Sequence, residues 1–370
     1  MIKLKRVYEE NGNFFAVSDE SPFYPDGKGG QLGDRGKIGP ANVLKVHQID
    51  KDQILHVLDR SIEPGEYDYS IDESRRFDIA TQHTAQHILS ASFLKTSQAK
   101  TVSFHMGEEF STIDLDMPQL TMEALNEAES VANRIIKSCT EVQILEVERN
   151  EAEKLNLRKA LSEKIGQTVR VVKIGDFDAS ACAGFHVKNT GEIGIVKVIS
   201  WEKIKGSLTR VYFVAGERAL SDYSERVFVL RELSKLLTSS VNEMVDRVEN
   251  LIDKIRNQAS LINRLAEELS KTIVDRLPEK QIGNYKITMY EGFDEVASFL
   301  PKYFNSDLLI CKTAGGYQFT SKNLDCSRLI NYLKEKLSGS GGGGAKHGSL
   351  KTAAGWQDLL SSIEKALGVM

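Results

Sequence analysis

The sequence predicts a mixed α+β protein built from four consecutive parts, and one observation for each part carries that reading. Over residues 1–75, short apolar runs such as FFAVSD, NVLKVHQID and QILHVLD are cut by Gly, Pro and Asp clusters, which marks a small β-rich domain. Over 76–215, helical and strand-like periodicities alternate, as in an α+β unit. Over 216–278 the pattern becomes heptad-like, and over 279–370 strands and helices alternate again in an α/β manner.

The β-rich part contains one loop of chemical interest, FYPDGKGGQLGDRG, with Gly29, Gly30 and Gln31 at its centre. A helix then begins near Arg75 (RRFDIATQHTAQHILSASFLK), followed by strand-like TVSFHM and STIDLD. Helices are expected at Met122–Ser138 and at 150–163, and strands at VRVVKIG and GIVKVIS. Beyond VYFVAG, apolar residues from Tyr223 to Leu269 recur in steps of three and four, with polar Ser234 and Gln258 in two seam positions and Pro278 as the stop. That pattern reads as a long coiled-coil-like helix, which packs on its own protein, folds into a hairpin or pairs two copies into a homodimer. The last part reads as strand, helix, strand, strand, helix. Glycines Gly341–Gly344 follow, either a flexible linker or part of a folded motif, since a helix with Trp356, Leu359, Leu360, Ile363 and Leu367 on one face comes after them.

With 41% hydrophobic and 27% charged residues, the composition is that of a water-soluble globular protein. No apolar run is long enough to cross a bilayer, and MIKLKRVYEENGNFF lacks the apolar core of a secretory signal. Four sparse cysteines argue against a disulfide framework, so a reducing, cytoplasmic setting is expected. A net charge of −4 gives no global sign of a polyanion partner. Local basic groups, with Arg35, Arg75, Lys346 and Lys351 as the candidates, are expected to supply any nucleic-acid contact.

His83 and His87 lie four apart in the helical segment, so both imidazoles leave one face and reach one ion. The residue after the first is Thr84, where the zinc-protease pattern needs a glutamate, which disfavours that chemistry. Cys182 and His186 repeat the four-residue step in DASACAGFHVKNTGEIG, a stretch of small residues that reads as a loop. Three histidines and a cysteine make a tetrahedral site for one Zn2+ per chain, the metal that best tolerates mixed nitrogen and sulfur ligands.

HTAQHIL and CAGFHVKNTGEIG resemble the H-x-x-x-H and C-x-x-x-H elements of the editing domain shared by alanyl-tRNA synthetases and free-standing alanyl-tRNA editing proteins. FYPDGKGGQLGDRG resembles the family's glycine-rich loop, SIDESRRFDIATQHTAQHIL the stretch leading into its metal helix, and SFHMGEEFSTIDLD the strand pair lining its pocket. GSGGGGAKHGS with its terminal helix resembles, more loosely, the end of the DHH-associated domain, which helps hold tRNA in that family. Two departures stand out. CAGFH replaces the usual C-G-G-T-H, and no threonine lies between Tyr24 and Gln31 to separate serine from alanine.

The resemblance implies a trans-editing hydrolase that deacylates mischarged tRNA(Ala), carrying serine or glycine, without aminoacylating it. Around the metal it points to Gly29, Gly30, Gln31, His105, Asp178 and Thr190 as pocket residues. Backbone amides at Gly29 and Gly30 are expected to face a developing oxyanion, and Asp178 to orient a ligand histidine. Turn chemistry or a satisfied core histidine is the plain alternative for Gln31, Thr190 and His105. For the whole chain the alternatives are a zinc-stabilised, non-catalytic tRNA-binding adaptor and a hydrolase of another aminoacyl ester or of D-aminoacyl-tRNA.

Overall fold

The computed structural model describes residues 1–50, 53–161 and 166–369 and is mixed α+β throughout. It divides into two compact units, Met1–Leu230 and Arg231–Met370. The β-rich and α+β parts thus belong to one unit, and the division falls inside the helix Glu217–Leu237 instead of before it. The reason lies in hydrogen bonds at the foot of the helix Glu73–Ser97. Arg76 there grips the carboxylate of Asp34, and Arg75 Nε donates to the carbonyl of Gly33.

In the first unit, residues 6–71 build a six-stranded antiparallel sheet around Phe23, Ile38, Val43, Val46 and Leu58. A second core gathers Ile88, Leu89 and Phe93 of the helix Glu73–Ser97 with Ala128 and Ala132 of the helix Met122–Lys137. Against them lies a four-stranded sheet in the order Val196–Lys203, Thr209–Ala215, Ser111–Leu115, Thr101–Met106. A third, three-stranded sheet joins Val142–Glu148, Thr168–Ile174 and Asp178–Ala181.

The helix Glu73–Ser97 is the centrepiece. Asp72 caps its start by accepting from Arg75 N–H, and left-handed Gln98 ends it. Every residue from Ile79 to Phe93 is buried, polar ones included, so this stretch of the helix has no solvent face. Burying so many polar groups is tolerable only where they are hydrogen-bonded. Gln82 exchanges two bonds with the Ala215 backbone, while Thr84 and Ser92 return theirs to the carbonyls one turn back.

Three expectations need correction. The helix expected at 150–163 is only Arg149–Ala152 with a 3-10 turn at Glu153–Leu155, because Asn156 turns left-handed; residues 162–163 lie outside the described part. DASACAGFH is not all loop, since Asp178–Ala181 pairs with Val171–Ile174 as an edge strand. The heptad segment is not one helix either. Thr238 adopts a left-handed conformation, and Glu217–Leu237 ends before a second helix, Met244–Ile273, begins.

In the second unit, a six-stranded sheet carries one parallel pair, Tyr285–Glu291 with Leu308–Thr313, bridged by the helix Asp294–Phe299. Its other pairings are antiparallel, so the unit is mixed and not a purely α/β layer. The helices Cys326–Lys336 and Trp356–Val369 cover it, burying Leu329, Ile330, Leu359 and Ile363. The glycine run is not a linker. Ser340–Gly343 is the edge strand, paired with His347–Lys351.

At Gly341 an added Cβ would run into the Ser349 carbonyl, whereas at Gly342 nothing lies within 4 Å of it. Gly341→Ala should therefore lower stability by about 1–3 kcal/mol in denaturant unfolding, and Gly342→Ala by no more than about 0.5 kcal/mol. Equal effects would restore the linker reading. A second expectation concerns His56, fully buried, whose Nδ1 donates to Ala16 O and whose Nε2 accepts from Ser21 Oγ. Burial pushes its pKa down to about 4. The unfolded chain therefore takes up a proton first, and between pH 6.5 and 4 this residue should remove up to about 3 kcal/mol of stability. A wild-type pH slope no steeper than that of His56→Gln over this range would contradict it.

Candidate metal centre

The helix Glu73–Ser97 aims His83 and His87 from one face, one turn apart. The chain leaving the strand Asp178–Ala181 brings Cys182 and His186 to the same point. One ligand atom from each of the four lies within 4.8 Å of all the others. Cys182 Sγ is 3.4 Å from His83 Nε2 and 3.3 Å from His186 Nε2. Tetrahedral zinc with ordinary Zn–S and Zn–N bonds has S···N edges of about 3.5 Å, so the spacing suits such an ion.

The other nitrogen of each imidazole has its own neighbour, and this decides which nitrogen is free to coordinate. Gln31 Oε1 accepts from His83 Nδ1 at 2.8 Å and from Phe185 N–H at 2.9 Å. Thr84 gives its hydroxyl proton to Ala80 O, so at 3.1 Å it accepts from His186 Nδ1. His87 Nδ1 lies 3.4 Å from Asp178 Oδ2, longer than a good hydrogen bond, and Arg158 Nε fixes the other oxygen of that carboxylate at 2.7 Å. The three Nε2 atoms are left to face the sulfur.

Electrostatics agree with the geometry. Burial holds His83 and His186 below the usual imidazole value, His186 at about 3, so both are neutral. At His87 burial pulls the same way, but Asp178 and Cys182 outweigh it and raise the pKa. Burial opposes ionising Cys182, yet hydrogen bonds from His186, His83 and His87 prevail and bring the thiol to about 2. A thiolate among imidazoles is the ligand set a zinc ion requires. Gly184 is part of the fit, because a Cβ there would overlap the His83 ring and Gln31 Oε1.

The remaining sequence-predicted residues divide. Gln31 and Asp178 join the cluster as described. Gly29 sits against Tyr24 Oη and the Gly184 backbone, and Gly30 against Phe104, so the loop does border the centre. The Gly30 amide, however, donates to Gly27 O and closes its own turn. His105 is exposed, and it is its neighbour Phe104 that stacks on His83, ring centroids 5.4 Å apart. Thr190 is buried, with its hydroxyl donating to Ile135 O and accepting from Thr140 N–H, which leaves it a staple and not a pocket wall.

Arg35 makes a two-pronged pair with Asp26, and Arg75 another with Glu108, so neither charge is free for phosphate. Lys346 and Lys351 are exposed at the two ends of the second unit's His347–Lys351 strand. Sequence reasoning missed Thr84, Arg158, Phe104 and Gly184. Only Thr84 carried a signal, as a hydroxyl beside a ligand. Phe185 clamps the loop. Its ring lies 4.9 Å from that of Tyr24, and the Arg76 guanidinium sits 4.7 Å above it.

Residues 169–212 match the family described as threonyl and alanyl tRNA synthetase second additional domain. The chain is 31% identical over 366 residues to alanyl-tRNA editing protein AlaX-L of Pyrococcus horikoshii, covering 92% of this chain and 88% of that protein. It is also 30% identical to the alanine–tRNA ligase of Methanopyrus kandleri, over 79% of this chain but 33% of the ligase. With that of Lactococcus lactis it shares 29% identity over 98% of this chain and 45% of the ligase. The chain thus spans between a third and a half of these ligases.

If Thr84 sets the His186 tautomer, Thr84→Val should weaken metal binding by about tenfold or more, and Thr84→Ser should restore it. Competition against a colorimetric chelator measures this. Unchanged affinity in the valine variant would show that the hydroxyl does not orient the ring.

Proposed function

The chain belongs to the family of the alanyl-tRNA editing proteins, and from that membership we propose that it is a cytoplasmic trans-editing hydrolase. Its substrate on this reading is tRNA(Ala) carrying the wrong amino acid, serine first and glycine second. His83, His87, Cys182 and His186 hold one Zn2+, and the single observation that carries the reading is their convergence, with His83 and His186 held through Nδ1 by Gln31 and Thr84.

A bound zinc supplies Lewis acidity and a fixed positive charge beside the ester. The chain's own groups do the rest. Gln31 uses its carbonyl oxygen on His83 and Phe185, while its buried amide Nε2 has no partner, a donor held ready for an oxygen of the acylated adenosine. The Tyr24, Phe185 and Arg76 stack keeps the glycine loop against the centre. A pocket sized for alanine cannot strongly reject glycine or serine, so a separate hydrolytic site is the expected remedy. We assign the second unit, with Lys346 and Lys351, to holding the tRNA.

One observation favours a second reading. Four protein ligands describe a closed metal site, and a catalytic zinc normally keeps one position open. On that reading the chain is a zinc-stabilised tRNA-binding adaptor.

Deacylation of seryl-, glycyl- and alanyl-tRNA(Ala), with and without chelator, decides between them. We expect seryl-tRNA(Ala) to be hydrolysed at least about a hundredfold faster than the alanyl form, and the activity to vanish with the metal. Protein carrying stoichiometric zinc that leaves the seryl ester intact would be an adaptor.

A further inference from the structure

Arg170 stands on the strand Thr168–Ile174, whose alternation turns Val169 and Val171 into the core around Ala152 and Ala179. Val172 and Ile174 face the other core, against which Cys182 and Phe185 pack, and Arg170 continues their row toward the metal centre. Two hydrogen bonds fix it there. Cys182 N–H donates to Arg170 O at 3.0 Å, and Arg170 Nη1 donates to Cys182 O at 2.6 Å. The field of the guanidinium reaches the Tyr24 phenol of the glycine loop and the His83 ring.

Its charge is unmatched. Every other half-buried arginine described in the first unit grips a carboxylate, as Arg35 grips Asp26, Arg76 Asp34 and Arg158 Asp178. Glu146, opposite Arg170 across the strand pair, is exposed and makes no ion pair with it. Nε and Nη2 have no acceptor among the described residues. The metal centre does not supply the missing anion either. The guanidinium bonds to the Cys182 carbonyl and not to its sulfur, and a divalent ion on one thiolate and three imidazoles carries net positive charge. A second cation is thus held beside a positive centre, an arrangement that a bound anion relieves. The free edge of the guanidinium, Nε with Nη2, is the fork that meets two oxygens of a phosphate.

We propose that Arg170 binds the phosphodiester that joins the terminal adenosine of the acylated RNA to the rest of that strand, anchoring the nucleotide while its ester lies at the metal centre. The identity of the ligand rests on the editing reading; the unmatched charge does not. The guanidinium touches the substrate away from the reacting atoms, so it governs binding more than turnover.

The test compares wild type, Arg170→Gln and Arg170→Lys, each checked for zinc stoichiometry, in binding unacylated tRNA(Ala) and the same tRNA shortened by its terminal nucleotide. Glutamine is expected to weaken the intact tRNA about tenfold and the shortened one about twofold or less, with wild-type zinc content. Lysine, which keeps the charge and loses the fork, should recover part of that loss. In deacylation, KM should rise about tenfold in the glutamine variant while kcat moves by about threefold or less. Equal weakening of both RNAs, or of neither, overturns the proposal, as does an unchanged KM in the active enzyme. So does a loss of zinc in both variants, which would make Arg170 a strut for the Cys182 segment. Should the wild-type protein hydrolyse no acylated tRNA, the editing reading fails, and the binding comparison still decides on Arg170.

Discussion

Everything at the centre depends on the hydrogen-bond partners that fix the ligand imidazoles. A buried histidine can present either ring nitrogen, and here Gln31, Asp178 and Thr84 each stand at a different Nδ1 and leave Nε2 for the sulfur side. Those three partners come from the glycine loop, an edge strand and the central helix. Three separately folded elements must arrive together before the four donors acquire the right protonation, so the metal centre is also the joint of the first unit.

The same joint explains why the β-rich segment is not a separate body. Asp34, with its side chain wholly buried, accepts from Arg76 and from Tyr24 N–H, and Arg35 locks Asp26 in the same loop. A buried carboxylate is stable only while its cation and hydrogen bonds persist. Charge pairing therefore ties the loop to the foot of the metal helix, and Phe185 ties its other side to the Cys182 segment. Phe185 acts there as an apolar clamp.

Much of this was legible in the sequence for physical reasons. Two ligand pairs at four-residue steps are local patterns, and local patterns survive in a string of letters. The central helix was visible from spacing, and so were the strand at Leu308–Thr313 and the amphipathic helix at Trp356–Val369. What the letters hid was long-range. Arg35 and Arg75 look like free cations until Asp26 and Glu108 come within reach, and His105 looks equivalent to Phe104 until strand pairing assigns them opposite faces. The glycine run resembles a linker because a backbone pressed against its neighbour needs the same residue as a backbone with nothing beside it. Thr238 interrupts the heptads through its conformation, which side-chain periodicity does not report.

The enclosed middle of the central helix has a consequence for how the chain is made. With no solvent face, the segment Ile79–Phe93 gains its burial only when strands and a second helix from much later in the sequence have closed around it. The donors themselves are separated by about a hundred residues, as in the contact from Cys182 back to His83. Ordering of this core waits for synthesis to pass residue 215, and a nascent or clipped product lacking the later half has no halfway shelter. The four donors converge only in the finished unit, so any ion they could hold would have no site before then.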